Sequence, residues 1–114
     1  MALSHAKPGE VISVRPLGGE LAAARTSTLL KTDRLELIRL VVHAGKQIPT
    51  HSVAGELIVQ CLEGNIRFTA GETVHPLHAG DLLVLPGGTP HAVEAVESSS
   101  LLLTIRLPAG EPTS

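Results

Sequence analysis

Two stretches of one design constrain this chain most. The first is Gly45-Lys-Gln-Ile-Pro49-Thr-His51-Ser-Val53-Ala-Gly55-Glu56-Leu57-Ile-Val-Gln-Cys-Leu-Glu-Gly64. A glycine turn leads into a proline-fixed loop, then a histidine, then an apolar run that stops at Glu63-Gly64-Asn65. The second is Gly80-Asp-Leu-Leu-Val-Leu-Pro86-Gly-Gly88-Thr-Pro-His91. Again a glycine turn opens a short apolar run, a Pro/Gly turn closes it, and a histidine follows. Runs this short, bounded by Gly and Pro, suit strands better than helices.

The rest of the chain fits the same scheme. Val11–Arg15 is predicted to be a short strand ended by Pro16 and Gly18-Gly19, and Leu21–Arg25 suits at most one helical turn. Thr26–Lys31 is a strand, Thr32-Asp33 a hairpin turn and Arg34–His43 the longest strand. Both faces of Arg34–His43 are largely apolar, so its outward face is expected to be covered by another sheet or another subunit. Asn65–Ala70 and Glu72–Leu77 form a hairpin around Gly71. Leu82–Leu85, His91–Val96 and Leu101–Leu107 complete the set, with Ser98–Ser100 as a turn. With 114 residues the chain is one domain. Residues 1–10 and 108–114 are expected to be tails around a domain of residues 11–107. Turn signals every roughly eight to twelve residues point to an all-β sandwich or barrel.

The two stretches resemble the paired motifs of the cupin superfamily, G(X)5HXH(X)3-4E(X)6G and G(X)5PXG(X)2H(X)3N. Gly45, His51, Gly64, Gly80, Pro86, Gly88 and His91 fall in register. The resemblance implies a single jelly-roll β-barrel, also described as a double-stranded β-helix, of the RmlC-like kind. It covers residues 34–107 and implies a homodimer. In metal-binding cupins the first motif supplies two histidines and a glutamate, and the second one histidine. His51 and His91 therefore stand at ligand positions. Val53 replaces the second histidine, and Ala95 stands where the second motif ends in asparagine.

Parity bears on the glutamate. The pattern's slot is Leu57, and Glu56 is one residue early, which on a strand is the opposite face. Leu57, Val59 and Cys61 are then expected to share the lumen face with Val53. Glu56 turns inward only if a β-bulge forms near Gly55. In that case His51, Glu56 and His91 make a two-histidine, one-carboxylate triad. Otherwise a third ligand must come from His43, expected at the same barrel end, or from Gln60. His75 and His78 are expected on exposed turns. Arg39 is either a surface residue or, if its face lines the lumen, a carboxylate anchor.

Composition narrows the partners. Net charge is -2 and the basic residues are scattered, so nucleic acid is not an expected partner. No apolar stretch approaches the ~20 residues of a membrane span. Cys61 is the only cysteine, so no intrachain disulfide forms, and the N-terminus shows no apolar stretch of signal-peptide length, so a cytoplasmic protein is expected. Phe68 is the only Phe, Trp or Tyr, which disfavours ring-stacked ligands. The resulting reading is a small-molecule-binding cupin with a divalent metal, Zn, Fe, Mn or Ni, at His51 and His91, or with no metal. The alternative is a metal-dependent enzyme, dioxygenase- or isomerase-like, acting on a small oxygenated or carboxylate-bearing substrate.

Overall fold

The computed structural model describes residues 5–108. Of the expected tails, residues 1–4 and 109–114 lie outside the described residues. The described part contains strands β1 (Ser27–Lys31), β2 (Leu35–Val42), β3 (Gln47–His51), β4 (Leu57–Glu63), β5 (Asn65–Ala70), β6 (Thr73–His78), β7 (Leu82–Leu85), β8 (His91–Ala95) and β9 (Ser99–Arg106). They form two antiparallel sheets, one ordered β1-β2-β9-β4-β7 and the other β3-β8-β5-β6. This is the all-β architecture anticipated from the turn spacing, in the jelly-roll form that the resemblance implies. No described helix is long and apolar enough to cross a membrane.

Alternation along the strands builds the core. In β4, Leu57, Val59 and Cys61 are buried while Ile58 is exposed, as a two-residue period requires. Facing them from the second sheet are Ile66, Phe68, Val93 and Ala95, all buried. Phe68, 1% exposed, is the largest fully buried side chain. Burying an aromatic or leucine side chain of this kind stabilises the fold by about 1.5–3 kcal/mol. The chain crosses from one sheet to the other at Gly64, whose φ is +92°. A β-carbon there would lie 2.2 Å from Ser99 Oγ, so both the backbone twist and the space demand glycine.

Three local expectations need correction. Val11–Arg15 joins neither sheet. It runs across the outer face of the first sheet and leads into a 3-10 helix, Gly18–Ala23. Local alternation cannot tell whether a free sheet edge is within reach. Gln47–His51, read as a loop because of Pro49, is strand β3. It pairs only with β8, and its register shifts between Ile48 and His51. An edge strand with such an irregularity tolerates the missing N–H of proline. Ser99 and Ser100, read as a turn, begin β9 and are wholly buried. The outward face of β2 is covered in part by the chain's own residues: Arg39 is 7% exposed beneath Ser13, whereas Leu35 remains 40% exposed. The residues before this segment are not entirely free, since the Ala6 N–H donates to the Leu29 carbonyl at 2.8 Å.

Candidate functional site

His51 ends β3 and His91 begins β8, and the two are register partners in the second sheet. Their imidazoles stand with centroids 4.4 Å apart and planes at 60°. His91 stacks on Phe68, centroids 5.6 Å apart and planes at 12°. His91 is 5% exposed, whereas His51 is exposed. One histidine thus lies inside the barrel and the other at its mouth.

Each ring is oriented by a backbone carbonyl two residues earlier. His51 Nδ1 lies 3.2 Å from the Pro49 oxygen, and His91 Nδ1 lies 3.0 Å from the Thr89 oxygen. A carbonyl oxygen only accepts, so each ring carries a proton on Nδ1, and in the singly protonated tautomer Nε2 is the atom with a lone pair to offer. Pro49 and Pro90 lie in the segments that set these turns. The two stretches and the β5–β6 turn are also tied together: Gly88 N–H donates to the Val53 carbonyl at 2.8 Å, and Gly71 N–H to the Pro90 carbonyl at 2.9 Å.

The two histidines line a cavity of about 30 Å3 with Leu40, Ile48, Leu57, Phe68, Val93 and Leu103. That is room for roughly one water molecule. The wall is apolar, and the only side-chain polar atoms in it belong to the two imidazoles. The cavity therefore offers acceptors and no side-chain donor. It suits a metal ion, or a hydroxyl, amine or water that can donate.

The other residues singled out in the sequence lie as follows. Leu57, 2% exposed, lines the cavity, and Val59 and Cys61 continue the same inward row. Val53 is half-buried against the core. Glu56 precedes β4 and turns away from the lumen, where its carboxylate meets Arg106 at 3.3 Å with both side chains largely in water. No bulge at Gly55 draws it in: β4 keeps an unbroken register with β9 from Leu57 to Cys61. A β-carbon on Gly55 would fall 1.6 Å from the Arg106 carbonyl oxygen, so this glycine serves a close backbone approach instead. Gln60 shares Glu56's parity and points outward, paired in register with Leu82 and Leu102.

His43 is not at the expected end. Its neighbour Gly45 donates to the Ala95 carbonyl, while His51 pairs with His91, so β3 runs the length of β8 between the two histidines. Five strand residues span about 17 Å, which keeps His43 away from the pair. His78 is exposed, 3.8 Å from Asp81, but His75 is half-buried on the same face of β6 as Leu77 and opposite Phe68. His75 does not line the cavity. Among the described residues no three His, Cys, Asp or Glu side chains gather into a metal-holding group. The donor set at the pair is two imidazole nitrogens, and an ion held there would take its other ligands from solvent or from a bound molecule. Burial pushes the Cys61 thiol up, and the Asp81 and Glu63 charges act in the same direction despite the Glu63 backbone contact. It is a protonated core side chain and not a thiolate ligand.

Sequence reasoning did not foresee two features. Phe68 acts as the platform for His91; the signal was its alternation with Ile66 in Asn65–Ala70. The second is a polar cluster on the outer face of the first sheet. Glu63 accepts from the Leu17 N–H at 2.8 Å, the Gly18 N–H at 3.1 Å and the Ser100 hydroxyl at 2.5 Å. Arg39 donates to Ser100 Oγ at 3.4 Å and to the Ser13 carbonyl at 3.3 Å. Arg39 is therefore buried on the side of the sheet away from the lumen and is neither a surface residue nor a lumen anchor.

Comparison with known proteins agrees with this architecture. A family model described as Cupin domain matches residues 38–105. No curated protein matches in sequence. A conserved protein of unknown function from Streptococcus pyogenes superposes with a TM-score of 0.73 at 23% identity, covering 96% of this chain and 97% of that one. An RmlC-like cupin from Desulfovibrio desulfuricans gives 0.66 at 29% identity, covering 90% and 97%. A salicylate 1,2-dioxygenase from Pseudoaminobacter salicylatoxidans, solved with gentisate, gives 0.66 at 18% identity, covering 70% of this chain and 24% of that one.

Proposed function

Because this chain belongs to the cupin family, we propose that it is a small-molecule-binding cupin whose site is the His51–His91 mouth of the barrel, with a divalent metal held by the two Nε2 atoms. The observation that carries this reading is the pair of carbonyl-anchored imidazoles lining one apolar cavity. Imidazole suits Zn, Fe and Ni, and Mn is the harder member of the set. Each Nδ1–H···O=C bond orients its ring and raises the basicity of Nε2. The small cavity admits only the tip of a ligand, so the body of the molecule lies at the mouth, beside exposed His51. A carboxylate or carbonyl tip, which can only accept, needs the metal as intermediary, because the rings present lone pairs and not donors.

The second reading is a metal-dependent enzyme of dioxygenase or isomerase type, supported by the likeness to the salicylate 1,2-dioxygenase fold. A bound metal would supply Lewis acidity, while this chain's residues would orient the ligand and exclude water through the apolar wall. Elemental analysis of purified protein, together with His51→Ala and His91→Ala, tests the metal. Stoichiometric metal that both variants lose is the expected result; metal retained in both removes the site. Turnover of an oxygenated aromatic or carboxylate substrate by the loaded protein, lost in His91→Ala, selects the enzyme reading.

A cytoplasmic homodimer is part of the proposal. On the outer face of the first sheet Leu35, Ile58, Leu82 and Val84 are 37–57% exposed, and the register places Ile58 between Thr104 and Val84. Glu56 and Arg106 lie at the edge of the same face. A face carrying an apolar centre and both charges is self-complementary about a two-fold axis. Sedimentation in dilute solution tests it: a dimer that Val84→Glu splits is expected, and a monomer refutes it.

A further inference from the structure

Residues 11–24 cross the outer face of the first sheet without joining it. Their only buried hydrophobe is Leu21, 9% exposed, while Val11 is 99% exposed. Ile12, Val14 and Leu17 are half-buried, and the polar ties are concentrated on two side chains of the barrel. The register shift between Cys61 and Glu63 turns the end of β4 over, and Glu63 thereby reaches the outer face. Its carboxylate takes the successive N–H groups of Leu17 and Gly18, and Arg39 takes the Ser13 carbonyl. The segment contributes only backbone atoms to these bonds. Leu17 is right-handed helical at φ -82°, ψ -18°, and Gly18 is left-handed at φ +58°. This alternation aims neighbouring N–H groups at one anion. Both ends of the segment are tethered, by the Ala6–Leu29 bond before it and by β1 after it.

We propose that residues 11–24 form a strap that lifts from the barrel as a unit between these tethers, and that Glu63 is its latch. The barrel beneath is a continuous hydrogen-bonded ladder β2-β9-β4 and does not depend on the strap for its pairing. Opening uncovers Arg39, Ser100 and the seat of Leu21. It extends the open face that begins at Leu35 and Ile58 and so changes what that face presents to a partner.

Amide hydrogen exchange on the full chain tests this from both sides of the latch. Glu63→Ala removes the acceptor. Gly18→Ala disturbs the donor turn alone, since a β-carbon there meets nothing within 4 Å and only the left-handed backbone resists it. In both variants the amides at positions 17 and 18 are expected to exchange about tenfold faster or more, with β4 and β9 amides unchanged. Unchanged protection of Leu17 and Gly18 in Glu63→Ala overturns the latch. Loss of protection in strap and sheet together, in both variants, overturns the independent strap.

Discussion

The barrel carries two polar clusters, and they use their valences differently. At the lumen, His51 and His91 each give Nδ1 to a backbone carbonyl and keep Nε2 free over an apolar cavity. On the outer face, Glu63 accepts three hydrogen bonds while Arg39 shares Ser100 and holds Ser13. Among the described residues no side-chain nitrogen or oxygen that is itself sealed from solvent lacks a partner. A polar group that holds a fold together is saturated by it. A polar group kept for a ligand is oriented by one bond and left open at the other atom.

The largest test converts the lumen into a full metal site. Leu57 lines the cavity and Val53 sits half-buried beside it. Leu57→Glu with Val53→His should raise metal affinity by about 100-fold or more, because a carboxylate adds both a ligand and a negative charge. Without metal the double variant should lose several kcal/mol, on the order of 3, from burying a carboxyl group in an apolar wall. Metal at ~100 times its Kd should return about 2.7 kcal/mol. Metal titration followed by thermal melts reads both effects; unchanged affinity would show that position 57 does not reach the pair.

Next comes the saturated cluster. Arg39→Ala should cost about 2 kcal/mol in denaturant unfolding, since it strips a buried donor from Ser100 and Ser13. His51→Ala, at an exposed ring with one carbonyl contact, should cost no more than about 0.5 kcal/mol. If His51→Ala is the costlier change, the distinction between saturated and open clusters fails.

Glu63 gives the pH dependence. Desolvation raises its pKa, but the Leu17 N–H, the Ser100 hydroxyl, the Gly18 N–H and the Arg39 charge together outweigh that, and the net pKa is lowered. Arg39 on β2 is the charged group that acts on it. A folded pKa below the unfolded one means the contribution is complete above the ordinary carboxylate range. It is lost as pH falls through the lowered value. Strap-amide protection should therefore fade in acid, and Glu63→Gln should remove the slope. A slope that persists in Glu63→Gln assigns the titration elsewhere.

The smallest effect is at Glu56. Its pairing with Arg106 is solvent-exposed, so Glu56→Ala should change stability by less than about 0.5 kcal/mol and leave metal content unaltered. Loss of metal in that variant would place the carboxylate in the site after all.

Several of these features are legible in the chain itself. The Gly/Pro punctuation and the two histidine-bearing stretches lead to the all-β jelly roll, and the count back from Gly64 puts Leu57, not Glu56, on Val59's face. Parity is a local property, set by the two-residue period of a strand, and needs no knowledge of neighbours. What lies across from a strand is not local. Pro49 sits in a true strand because β3 is an edge, and Val11–Arg15 sits in none because no pairing edge receives it. His43 falls at the far end because β3 runs along β8 before His51 is reached. Arg39, on a face that looks merely outward, is buried because Glu63 and Ser100 meet it from β4 and β9 and draw the strap over it. Each of these outcomes depends on contacts between residues distant in sequence, which only the packed sheets bring together.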